Sequence, residues 1–156
     1  MLKAIQNFFR HQIQPAAEEK NREVSEHALQ LATAALLIEV SRADFKVEAA
    51  ERRTIEDLVQ TAFGLSGEET AELVRLAAEE AEKSISHYDF TRLVDRNFSP
   101  EQKKHIVELL WRVAFSDAKV AADEEHLVRK VARLLHVDHT DFIDAKLRAR
   151  DWKQQQ

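Results

Sequence analysis

LLIEVSRADFKVEAAERRTIEDL, residues 36–58, and LLWRVAFSDAKVAADEEHLVRKV, residues 109–131, align without a gap at a constant offset of 73. Leu36, Leu37, Val40, Asp44, Lys46, Val47, Ala49 and Glu51 meet identical residues at Leu109, Leu110, Val113, Asp117, Lys119, Val120, Ala122 and Glu124, and Leu58 meets Val131. One gap later, Phe63-Gly64-Leu65-Ser66 meets His136-Val137-Asp138. Apolar matches arise easily by chance; Asp, Lys, Val and Glu at fixed places inside a turn do not. Each copy reads as a nearly all-apolar helix, a short acidic turn, an amphipathic helix and a further capped helix. One such unit exposes an apolar face that it cannot cover alone. Packing the two about a pseudo-twofold axis covers both, as self-complementary surfaces do in dimers.

The flanking sequence extends the helical pattern. Residues 27–42 carry Ala28, Leu29, Leu31, Ala32, Ala34, Ala35, Leu36, Leu37, Ile38 and Val40, and residues 105–115 repeat that texture. A helix apolar nearly all round belongs in the centre of a bundle. Ser66 with Glu69, and Ser99-Pro100 with Gln102, have the spacing of N-terminal capping boxes. Ser86 with Asp89 and Asp138 with Asp141 can cap in the same way. These signals predict helices near 2–13, 23–42, 48–62, 66–84, 86–96, 99–115, 121–135 and 138–149, with a frayed tail. The fold class is therefore all-α, a bundle of about seven or eight helices with an internal pseudo-twofold repeat. Residues 1–15 form an N-terminal amphipathic helix and residues 22–150 the main helical domain. Leu2, Ile5, Phe9 and Ile13 line one face of that first helix. Packing on the bundle is the expected use of the face, because one short helix with few basic residues binds a membrane interface weakly.

Composition agrees. The 156 residues include two Gly, two Pro and no Cys. All-β folds spend Gly and Pro on turns every 8–12 residues or so, and this chain has almost none to offer. The lack of Cys removes disulfides, thiolate metal sites and cysteine nucleophiles. There are 23 basic and 28 acidic residues, a net charge of −5, and no basic stripe along the sequence, so a nucleic-acid partner is not expected. No apolar run approaches a membrane span. The first residues lack an uninterrupted apolar stretch with a small-residue cleavage site, which predicts no signal peptide and a cytoplasmic location. Neither a nucleophile elbow nor a Gly-rich phosphate loop is present, so the sequence does not read as an enzyme.

The turn in each copy carries the chemistry. SRADFKVEAAE (41–51) and AFSDAKVAADE (114–124) resemble the acidic turn, A-x-x-D-G-x-V-x-x-x-E after a buried helix, of the TerB-like tellurite-resistance proteins. The resemblance covers roughly residues 25–150. It is closest to the stand-alone bacterial members, and the N-terminal domain of certain membrane-anchored co-chaperones is similar. It implies a stress-response or tellurite-resistance role and an acidic cluster for a divalent metal, carried here by Asp44, Glu51, Asp117 and Glu124. Phe45 and Ala118 stand where the family has Gly. Oxygen-only ligands suit Ca²⁺, Mg²⁺ or Mn²⁺ rather than Zn²⁺.

Two readings stay open. In one, the paired acidic turns bind a cation. In the other, the carboxylates only cap helices, because acidic groups in a first helical turn complement its dipole and Glu51 and Glu124 suit the reaching-back position of a capping box. The chain is then an adaptor for a protein partner, at a membrane or in a chaperone system. The run His136-Val137-Asp138-His139-Thr140-Asp141 has ligand-like spacing, but a capping Asp138 explains it more simply.

Overall fold

The computed structural model describes residues 2–13, 22–43, 47–82, 88–116 and 121–155. Helix α1, Leu2–Phe8, continues as a π-helical turn over Phe9–Ile13. Then follow α2, Arg22–Ala43; α3, Ala49–Phe63; α4, Gly67–Ala81; α5, Asp89–Asn97; α6, Pro100–Ser116; α7, Ala121–Leu134; and α8, His139–Gln154. The described residues contain no strand, so the chain is all-α as its composition requires. No described helix is long and apolar enough to cross a membrane.

The two apolar helices form the centre. Leu31, Leu36, Leu37, Ile38 and Val40 of α2 and Ile106, Val107, Leu110, Trp111 and Val113 of α6 are all buried. Helix α2 packs on α3, α4, α5, α6 and α7, while α6 packs on α2, α3, α7 and α8. Each central helix thus touches the other and its own amphipathic partners, and α2 also reaches α5 and α7 while α6 reaches α3.

Local chemistry places the ends. Glu69 N donates to Ser66 Oγ at 3.0 Å and Ser66 N donates to Glu69 Oε1 at 2.9 Å, closing the expected box on α4. The Ser99–Gln102 box closes in the same way on α6. At the end of α3, Gly64 takes φ 62°, ψ 34°, and Leu65 N reaches back to Gln60 O at 3.0 Å. That left-handed step favours Gly, because a Cβ meets the backbone there. Asp138 sits at the N-cap position of α8 but its side chain accepts no cap bond, and Asp141 pairs with Lys104 Nζ at 3.7 Å instead. Ser86 lies outside the described residues. Helix α8 runs five residues beyond the expected 149, with Trp152 inside it and the Arg112 guanidinium 4.6 Å from that ring's centroid.

The N-terminal segment belongs to the bundle. Ile5, Phe8, Phe9 and Ile13 are buried in the main core. Phe8 meets Phe90 edge-on with centroids 5.9 Å apart, and Phe9 lies 6.1 Å from Phe98. Phe8 and Phe9, consecutive in the chain, are both on the core side and meet different rings.

Candidate functional site

Of the four acidic positions singled out from sequence, the structure describes one side chain. Glu51 is the third residue of α3, half-buried, and among the described residues it has no hydrogen-bond or ion-pair partner. The residue before the helix, Glu48, is extended and offers no side-chain cap. Val47 is buried beside it, and its carbonyl accepts from Arg52 Nη1 at 3.1 Å. Asp44 and Asp117 lie outside the described residues, each between two helices. Glu124 falls in the first turn of α7, with its side chain outside what is described. Among the described residues no three His, Asp or Glu converge as metal ligands would. The His136–Asp141 run is no exception: His136 turns to Asp95 and His139 stacks on Phe142.

A second acidic arrangement lies in the core, and the sequence reading missed it. Glu39 of α2 is 2% exposed and Glu80 of α4 is also 2% exposed. Both address the start of α5. Glu39 Oε2 accepts from Phe90 N at 2.8 Å, and its Oε1 accepts from Thr91 N at 3.0 Å and Thr91 Oγ1 at 2.6 Å. Glu80 Oε1 accepts from Asp89 N at 2.6 Å. Tyr88, in left-handed geometry at φ 51°, provides no side-chain cap. Two carboxyl groups from other helices therefore satisfy the open N–H groups that every helix start leaves. Burial, then the hydrogen bond and negative charge of Glu80, push the Glu39 carboxyl well above the usual carboxylate range. A Glu39 carboxyl kept protonated removes one of two like charges from the same apolar site. A signal was present: Glu39 interrupts an apolar run with Ala35 and Ala43 four residues either side, and the cation three residues on, Arg42, pairs with Glu56 instead.

A third carboxylate, Glu108 of α6, is buried under Arg148 Nε at 2.8 Å and Arg112 Nη2 at 2.7 Å. Burial raises its carboxyl's pKa, but the two guanidinium hydrogen bonds outweigh that and hold it below the usual range.

Charge of the opposite sign collects at the ends of α5 and α7. Tyr88, Arg92, Asp95, Arg96, Arg133 and His136 line a surface cavity of about 490 Å³. Asp95 is engaged by Lys103 Nζ at 2.7 Å and His136 Nδ1 at 3.2 Å. Partial burial pushes its carboxyl up, and those two contacts bring it below the ordinary value.

The family model of the tellurite resistance protein TerB matches residues 30–147. The chain therefore belongs to the TerB family. No curated protein and no solved structure matches it.

Proposed function

We propose that the chain is a non-enzymatic tellurite-resistance module whose two acidic turns each hold a hard divalent cation, through Asp44 and Glu51 in one copy and Asp117 and Glu124 in the other. The supporting observation is the idle carboxylate of Glu51. It occupies the helix position from which Glu69 and Gln102 reach back to cap their own helices, yet among the described residues it makes no such bond. A capping role leaves that carboxylate unexplained; a ligand role uses it. A helix start is the positive end of its dipole, so the cation is held by carboxylate charge and turn carbonyls, with modest affinity.

Titration with Ca²⁺, Mg²⁺ and Mn²⁺, followed by calorimetry and by amide NMR shifts, tests this reading. The expected result is saturable binding at up to millimolar cation, lost in the Asp44→Asn/Asp117→Asn double variant. No saturable response, or equal binding by the double variant, overturns it and leaves the adaptor reading, in which the turns serve a protein partner.

A further inference from the structure

We propose that the cleft between α5 and α7 is a binding site for a phosphate-bearing anion. Arg92 and Arg96 stand one turn apart on α5, and Arg133 lies in the last turn of α7. All three guanidinium groups line one cavity, and among the described residues none of them has an ion pair or side-chain hydrogen bond. The chain's acidic residues outnumber its basic ones, 28 to 23, and Arg42, Arg75, Arg112, Arg129 and Arg148 each have a carboxylate; of the arginines without one, these three share a single cavity.

The acid within the cleft does not neutralise them. Asp95 is taken by Lys103 and His136, which leaves the three arginines without a carboxylate among the described residues. Basic residues in a last helical turn complement the dipole there, by about half a unit of charge per helix end. This accounts for Arg96 and Arg133 singly. It does not account for Arg92: three guanidinium charges against two helix ends of about half a negative charge each leave the space positive. Planar guanidiniums with five donors each suit phosphate oxygens, which accept from them in pairs. A cavity of about 490 Å³ has the size of a small-ligand pocket, and Tyr88 at its edge supplies an apolar wall, with Lys130 Nζ 5.4 Å from the ring centroid as further positive charge. The ligand is a dianion or larger: a small phosphate ester or diphosphate, or the phosphorylated headgroup of a lipid.

The experiment has two arms at low ionic strength. One titrates the full chain with pyrophosphate by calorimetry. The other sediments it with phosphatidylcholine vesicles containing a phosphorylated inositol lipid, with pyrophosphate as competitor. Arg92→Gln and Arg133→Gln each remove one guanidinium. Arg53→Gln, an exposed arginine on α3 outside the cleft, removes the same charge elsewhere. Saturable binding in either arm, weakened about tenfold or more by each cleft variant and unchanged by Arg53→Gln, supports the site. Pyrophosphate binding without vesicle binding identifies a soluble ligand; vesicle binding displaced by pyrophosphate identifies the headgroup. No saturable binding in either arm, or equal weakening by Arg53→Gln, overturns the proposal.

Discussion

His136 adopts at the end of α7 the left-handed backbone that Gly64 adopts at the end of α3, with φ 61° against 62°. The hydrogen bonds correspond too: Val137 N donates to Ala132 O at 2.9 Å as Leu65 N donates to Gln60 O at 3.0 Å. The next residue but one, Ser66 or Asp138, is the N-cap of the following helix, with ψ 158° or 153°. A left-handed residue other than Gly costs about 1–2 kcal/mol from the contact of Cβ with the carbonyl. His136→Gly is therefore expected to be more stable than His136→Ala by about 1 kcal/mol, the reverse of helix propensity. Gly64→Ala is expected to lose about 1 kcal/mol although open space surrounds the new methyl. Urea melts of the three variants check both. Equal stability of the Gly and Ala forms at 136 contradicts the shared geometry.

The twofold relation read from the sequence makes a separate demand. Helices α2 and α3 are expected to superpose on α6 and α7 with Asp44 and Asp117 in equivalent turns, which a high-resolution crystallographic map of both turns checks. A helix running unbroken through Asp117 rules this out.

The Glu39–Glu80 pair predicts a pH dependence with a definite sign. A carboxyl whose folded pKa is raised stabilises the fold while it stays protonated. Its contribution is complete below the unfolded carboxylate value and is lost as pH rises through the raised folded value. Stability is expected to fall across that window by up to about 1.4 kcal/mol per pH unit. Glu80→Gln offers Glu39 a permanent N–H donor and keeps an oxygen for Asp89 N. This variant is expected to flatten the decline and to be the more stable form at high pH. Glu39→Ala strands the N–H groups of Phe90 and Thr91 in the core and is expected to cost about 3 kcal/mol or more. Thermal melts of the three proteins as a function of pH decide. A decline that persists unchanged in Glu80→Gln removes Glu80 from the account of Glu39's raised pKa.

Capping and idle carboxylates separate by stability alone. Ser66→Ala breaks a closed box and is expected to cost about 1 kcal/mol. Glu51→Gln, measured in chelator, keeps the side chain's shape and is expected to fall within about 0.5 kcal/mol of wild type. A loss at Glu51 as large as that at Ser66 assigns the carboxylate a structural role.

Packing of the first segment gives the largest expected effect. Phe8→Ala empties a core position against Phe90 and is expected to cost about 3–5 kcal/mol. Denaturant unfolding measures it; an unchanged midpoint shows that the segment is not docked in solution.

The helices were legible in the sequence because their causes are local. Ser66 and Ser99 find their box partners three residues away, and Gly64 supplies its own left-handed step. The apolar girth of α2 and α6 declares a buried position whatever surrounds it. The tilt of the first segment was harder to read. Its spacing placed Ile5, Phe9 and Ile13 on one face with Phe8 beside it, while the rings that receive Phe8 and Phe9, Phe90 and Phe98, are distant in the chain.

The acidic turns illustrate the boundary from the other side. Their residues and spacing, Asp44 with Glu51 and Asp117 with Glu124, stand in the chain as written. The absence of a cap at Glu51 emerged only in three dimensions, since a capping box and an idle carboxylate share one pattern.

By itself the sequence determined the all-helical class, the ends of most helices and the central pair, since each follows from residues within a turn or two of one another. The tertiary structure alone decided what meets across distance. Glu39 finds Glu80 and the start of α5, and Arg92 and Arg96 share a cleft with Arg133, because burying the apolar faces of α2 and α6 fixes where the remaining helices lie. Which polar groups those helices then bring together is a consequence of packing, and no periodicity along the chain records it.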